Sequence, residues 1–260
     1  MKFTINKNII VEALSNAVRA LSTKITIPVL NGILLNLTND GLEVQASDSE
    51  LTIKTTIEAK NIVNIEKEGR AVLQSRCLLE IIRKMPSEII NFELTDNNNI
   101  KIYSDINEYI IECYNIGEYP NIALEKSQNT IYLESKILKE MINQTSYAMS
   151  MQEVRPLLTG LNLKINGDIL ECTATDSYRL SKKTVKLKDS INSNINIVIP
   201  GKSVNELVYI LKDEGNVEID LFKNKSLGEI SELSHEEKAW LETKDNELIS
   251  YEYAHELKIV

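Results

Sequence analysis

The sequence predicts an α+β fold made by duplication, two domains in a row with two helices each packed on antiparallel sheet. Three observations predict it. A 22-residue segment recurs without a gap further down the chain. Short apolar–polar alternations punctuated by turn residues recur with it. Each copy also holds two stretches with helical spacing of its apolar residues.

The repeat is the firmest of the three. Residues 28 to 49 read PVLNGILLNLTNDGLEVQASDS, and residues 156 to 177 read PLLTGLNLKINGDILECTATDS, at an offset of 128. Pro28, Leu30 and Gly32 return as Pro156, Leu158 and Gly160, and Ala46, Asp48 and Ser49 as Ala174, Asp176 and Ser177. A second block, Val72 to Ile81, parallels Val198 to Leu207 at an offset of 126. Two matches in the same order indicate a duplicated domain, and the period is far too long for a solenoid unit.

Each copy opens with an extended segment, Lys2 to Ile5 or Thr130 to Leu133. A helix-period stretch follows. Over about 7 to 21 it sets Ile10, Leu14, Val18 and Leu21 on one stripe, and over about 135 to 148 it does so with Ile137, Leu138, Met141 and Ile142. Alternating strands come next (Ile33-Leu35-Leu37; Leu161-Leu163-Ile165), with turn residues Asn39-Asp40-Gly41 and Asn166-Gly167-Asp168 between them. A shorter helix is expected near 75 to 85 and again near 202 to 212, giving the order β-α-β-β-β-α-β. The first copy continues through Ile100 to Tyr103 and Tyr109 to Tyr114, and closes at Gly117-Glu118-Tyr119-Pro120-Asn121. The second finds no such continuation after Asn224, where Ser234-His235-Glu236-Glu237 reads as a capping box for a short helix. The expected organisation is domain 1 over 1–122, an incomplete domain 2 over 128–225, and an atypical tail over 226–260.

Composition narrows the function classes. With 43% hydrophobic and 26% charged residues in 260, the chain has the balance of a globular protein. No apolar run approaches the ~20 residues of a membrane span, and the start does not read as a signal peptide. Cys77, Cys113 and Cys172 form no C-x-x-C pair, which suits a reducing cytoplasm and argues against a disulfide framework or a zinc site. The only histidines, His235 and His255, fall in the tail. No nucleophile-elbow, metalloprotease or P-loop motif occurs, so no enzyme, metal or cofactor is expected. Asp48 and Asp176 could be paired metal carboxylates, but their A-[ST]-D-S setting reads better as turn capping at a strand end.

The chain resembles the bacterial DNA polymerase III beta-subunit family, the sliding clamps, over roughly residues 1 to 224. The segments that carry the likeness are MKFTINKNIIVEAL, IPVLNGILL, GEYPNI, VRPLLTGLNL and TATDSYRLS, in order. The resemblance implies the DNA-clamp fold: a ring of six similar domains, helices lining the hole and sheets outside, encircling double-stranded DNA and tethering a polymerase. It implies DNA polymerase III and clamp-loader subunits as partners, and a homo-oligomer. The net charge of −9 opposes a nucleic-acid partner only as a global count. Across the four helix stretches and an adjoining loop, ten basic residues face four acidic ones, an excess of six. On the resemblance, the DNA-lining candidates are Lys24, Arg76, Arg83, Lys84, Lys136, Lys139, Lys202 and, after the third helix, Gln152 and Arg155. The bland alternative is that these lysines simply flank amphipathic helices.

Part of the family's cleft for client peptides comes from its second domain. Leu158, Thr175, Ser177, Tyr178, Arg179 and Leu180 match it here: apolar walls, small polar groups and one arginine. The alternative is that Leu158 and Leu180 are core and Arg179 a surface ion-pair residue, and for Leu158 it is nearly as good a reading. Tyr109 and Ile111 match the family's oligomer edge and would form an exposed apolar strand. Family members carry three domains per chain and close as dimers, whereas here the third is expected to be missing. Alternatives are therefore a truncated or frameshifted clamp, three copies forming the ring, and a shortened paralogue that binds clients without encircling DNA. More remote are a nuclease using Asp48 and Asp176, and a scaffold unrelated to DNA.

Overall fold

The computed structural model describes residues 1–22, 27–48, 51–95, 97–122, 129–152, 154–221, 252–253 and 258–259. The chain separates into two compact units, Met1–Ala123 and Leu124–Val260.

The first unit begins with β1 (Lys2–Asn6), and α1 (Lys7–Val18) starts where the Asn6 side chain accepts the Asn8 N–H. β2 (Gly32–Thr38), β3 (Gly41–Ser47), β4 (Thr52–Glu58), β5 (Ile62–Lys67) and β6 (Gly69–Gln74) follow. Then come α2 (Ser75–Lys84), β7 (Ile89–Leu94), β8 (Asn99–Tyr103) and β9 (Glu108–Tyr114). Five strands thus separate the helices where the sequence predicts three. β5 accounts for one of the two extra strands: it is an edge strand with a single buried residue, Ile62, so it carries almost no alternation to read. The nine strands form one sheet in the order β4-β3-β2-β6-β9-β8-β7-β1-β5. Next to its β5 edge, Phe3 of β1 lies opposite Phe92 of β7, their rings stacked 4.7 Å apart.

Helix α1 buries Ile10, Ala13, Leu14 and Ala17. The expected stripe through Val18 and Leu21 is corrected: the helix ends at Val18, so the small residues Ala13 and Ala17 complete the face that meets the sheet. α2 packs against α1 and buries Leu78 and Ile82.

The second unit repeats this plan. β10 (Asn129–Glu134) pairs with β13 (Asn216–Leu221) as β1 pairs with β7. β11 (Gly160–Thr175) covers the positions of β2, its turn and β3, and β12 (Leu180–Pro200) covers those of β4 to β6. The pairings correspond: Leu161–Ile165 opposes Ile195–Ile199, and Ile169–Thr175 opposes Leu180–Lys186. The register breaks on both sides of Gly167, which holds φ +61 at the expected turn and needs no Cβ there. α3 (Ser135–Thr145) and α4 (Gly201–Ile210) bury Leu138, Met141, Ile142, Val204 and Leu207 in one core with the strands, and Ile137 packs partly against it. Beyond β13 the described residues are β14 (Glu252–Tyr253), parallel to β12, and β15 (Lys258–Ile259), antiparallel to β13. His235, His255 and the expected capping box at 234–237 lie outside the described residues.

Candidate nucleic-acid and peptide-binding surfaces

In each unit the helices turn one stripe to the core, so their remaining side chains face outward. The structure gives the basic ones different employments. Lys7 is committed: its Nζ donates to the Met85 carbonyl at 2.9 Å, closing the end of α2. Arg83 Nη2 donates to Ser15 Oγ at 2.9 Å and bridges α2 to α1. Lys84 lies 3.8 Å from Glu80 with both side chains largely exposed, a weak surface pair. In the second unit Lys136 and Lys202 are exposed on the first turns of α3 and α4. Lys139 Nζ sits 2.7 Å from Asp213 Oδ1, and that hydrogen bond and charge hold the Asp213 carboxyl below its usual range, with a smaller push from Lys136. Gln152 and Arg155 are exposed in the loop after α3. Lys24 lies outside the described residues, and so does the Arg76 side chain, although Arg76 belongs to α2.

The peptide candidates come together at one hairpin end. β11 and β12 are joined by Asp176–Arg179, with Thr175 paired to Leu180. Asp176 builds the turn: its Oδ1 accepts the N–H groups of Tyr178 and Arg179, each at 3.0 Å. Its Oδ2 accepts Arg179 Nε at 3.0 Å. Those backbone donors first, and the arginine charge after them, hold the Asp176 carboxyl below the ordinary aspartate value. Thr175 Oγ1 donates to the Arg179 carbonyl at 2.7 Å, and Ser177 sits at φ +77 on the crest. The turn therefore presents Tyr178 (98% exposed) and Leu180 (65%) to solvent, with Leu158 half-buried on the short 3-10 turn Pro156–Thr159. Arg155 reaches this turn too, its Nη1 donating to Ser177 Oγ at 3.2 Å.

Asp48, the repeat partner of Asp176, does the same work in the first unit, accepting the Leu51 N–H at 2.8 Å. Both carboxylates are thus occupied by their own turns, as the turn-capping reading expects. Among the described residues no three His, Cys, Asp or Glu side chains are grouped to hold a metal. Cys113 and Cys172 are buried, and burial pushes their thiols up to about 11 and about 12.

The oligomer-edge candidates need a correction. β9 is paired with β8 throughout Glu108–Glu112, whereas β6 reaches only Cys113 and Tyr114, so the other edge of Glu108–Glu112 carries no strand among the described residues. Ile111, however, is 8% exposed and belongs to the core. Side chains alternate along a strand, so the exposed apolar group is Ile110 (65%), with Tyr109 at the margin.

Sequence reasoning missed Tyr147. It follows α3 on a 3-10 turn (Ser146–Ala148), off the helix's buried stripe, and its ring lies 5.6 Å from the Arg179 guanidinium. No local motif marks it; only the fold brings residue 147 to residue 179.

Comparison with known proteins defines the class. The model of the DNA polymerase III beta subunit N-terminal domain matches residues 1–123, and that of the central domain matches 132–238. The chain belongs to the DNA polymerase III beta-subunit family and has the sliding-clamp fold. Among individual relatives, it is 38% identical over 217 residues to the beta sliding clamp of Bacillus subtilis, covering 82% of this chain and 57% of that one. It is 36% identical over 234 residues to the beta sliding clamp of Halalkalibacterium halodurans, covering 87% and 62%. The crystal structure of the Bacillus subtilis sliding clamp superposes with a TM-score of 0.82 at 37% identity, over 86% of this chain and 60% of that one. The beta subunit of Streptococcus pyogenes gives 0.80 at 28% identity, over 86% and 60%. The chain thus spans about three-fifths of the length of these relatives.

Proposed function

We propose that this chain is a sliding-clamp subunit, a non-enzymatic, cofactor-free tether of the bacterial cytoplasm that encircles double-stranded DNA and holds polymerase III through a short extended peptide. One observation carries the reading: two family domains stand in order, each with a pair of helices whose outward faces bear Arg83 and Lys84, or Lys136 and Lys202. Attraction of such side chains to phosphate is independent of sequence and sensitive to salt, which suits a contact that must slide. Arg155 and Gln152 would add to it. The turn Thr175–Leu180 with Leu158 would take the apolar anchors of the client peptide, Arg179 engaging its polar groups. Clamp-loader subunits would use the same surface.

A ring of six domains needs three copies if this chain alone supplies it, and the edge of Glu108–Glu112 that pairs with no strand among the described residues would be a backbone docking strip for that closure. A second reading is favoured by the completeness of the peptide turn within one unit: a shortened clamp that captures clients without encircling DNA. Sedimentation equilibrium over a wide concentration range separates the two. A stable trimer supports the ring, while a monomer that binds client peptide supports the second reading. The nuclease reading loses its footing because Asp48 and Asp176 are each spent on turn N–H groups.

A further inference from the structure

We propose that Tyr147 is a working part of the client-peptide surface, a platform for an apolar client side chain and the brace that holds Arg179 in its binding position. This rests on the peptide-binding reading above and goes one residue beyond the set matched from the family.

Local structure forces the ring outward. Thr145 is fully buried and donates its hydroxyl to the Met141 carbonyl at 2.7 Å, and Ala148 is fully buried three residues later. The Met149 N–H closes the 3-10 turn on the Ser146 carbonyl at 3.0 Å. With its flanks pinned in the core, the Tyr147 side chain is left 59% exposed, a large apolar surface for a position so close to buried residues.

Two further bonds fix where that ring stands. Ser181 Oγ donates to the Gln144 carbonyl at 2.7 Å, tying the start of β12 to the end of α3. The Ser150 N–H donates to the Leu158 carbonyl at 2.8 Å, tying the following loop to the turn that carries Leu158. Tyr147 therefore shares a framework with both ends of the patch. Its ring lies 5.6 Å from the Arg179 guanidinium, within the ~6 Å range of cation–π attraction. On its Nε side the same guanidinium is held by Asp176 at 3.0 Å.

An arginine gripped by a carboxylate and a ring loses little conformational freedom when a peptide arrives. The ring and Leu180 then offer apolar surface for one anchor side chain, while guanidinium N–H groups meet a backbone carbonyl or a carboxylate. The chemistry selects an extended peptide with alternate apolar side chains and polar or acidic spacers.

The test uses the full chain and a fluorescein-labelled extended peptide with leucines at alternate positions, read by anisotropy. Tyr147→Ala is expected to weaken binding about fivefold or more, the scale of a lost cation–π contact plus lost apolar area. Tyr147→Phe should stay within about twofold, because the ring and not the hydroxyl acts. In an Arg179→Ala background, Tyr147→Ala should cost clearly less than it does alone, since the two side chains act as a unit. Melting curves of all variants should superimpose. Loss of binding in Arg179→Ala or Leu180→Ala with none in Tyr147→Ala overturns the role of Tyr147 and leaves the surface standing. A Tyr147→Phe variant as weak as Tyr147→Ala also overturns it. If none of the three alanine variants weakens binding, the peptide-surface reading itself fails.

Discussion

Removing cations from the second unit should change how duplex binding responds to salt, and the structure says which cations matter. Lys136 is exposed on the first turn of α3, and Arg155 is exposed in the loop that follows it, its contact being with the neutral hydroxyl of Ser177. Lys139, by contrast, is neutralised by Asp213 at 2.7 Å. Each phosphate contact adds about 0.9 to the slope of log affinity against log salt on B-form DNA. The double variant Lys136→Ala/Arg155→Ala should therefore lower that slope by about 1.8. Between 50 and 200 mM salt that difference amounts to roughly a tenfold change in relative affinity. Lys139→Ala should lower the slope by well under 0.9, because the cation removed is already paired. The assay is anisotropy of a labelled duplex over a salt series, with melting curves as a control on folding. An unchanged slope in the double variant would refute the DNA-facing assignment. A full-sized drop in Lys139→Ala would refute the reasoning about pairing.

Other consequences follow from packing and charge. Alanine at Gly160 would put its Cβ 2.6 Å from the Ile199 carbonyl oxygen, whereas at Gly32 the closest atoms are side chains of Val72 and Tyr114. Gly160→Ala should cost about 1–3 kcal/mol of stability and more than Gly32→Ala, as thermal melting of the two variants would reveal. The Asp176 carboxyl titrates below its unfolded value, so its contribution is present above the ordinary aspartate range and lost as pH falls through the depressed value. Peptide affinity should accordingly hold from neutral pH through the ordinary aspartate range and fall only below it, while Asp176→Asn should weaken it at neutral pH. Cys113 and Cys172, with thiols pushed up to about 11 and about 12, should resist iodoacetamide at pH 8 in the native chain and react on unfolding, as peptide mass mapping would show.

The sequence made the duplication legible because Gly32 and Gly160, and the turn aspartates Asp48 and Asp176, are needed at the same points of one backbone plan. Helix faces were legible through Ile10, Leu14, Leu138 and Met141, whose spacing reflects burial. Four things were not. Edge strand β5 buries only Ile62, and an edge facing water imposes no alternation. The inward turn of Ile111 depends on the phase of β9 against the core, which Glu108-Tyr-Ile-Ile-Glu112 does not betray when three apolar residues stand together. Tyr147 meets Arg179 across 32 residues of chain, and contacts of that range follow from the fold and not from local spacing. The candidate cations were visible as residue types, yet their employment by Met85, Ser15 and Asp213 was not.

The proposed function is topological: the chain would hold DNA by surrounding it. The most direct measurement is retention of the assembled, loaded protein on nicked circular plasmid during gel filtration at a salt concentration that abolishes simple duplex binding, before and after one restriction cut. Protein is expected to stay with the circle and to be released once the DNA is linear, because a ring slides off a free end. Equal retention on both forms, or none on the circle, would contradict it.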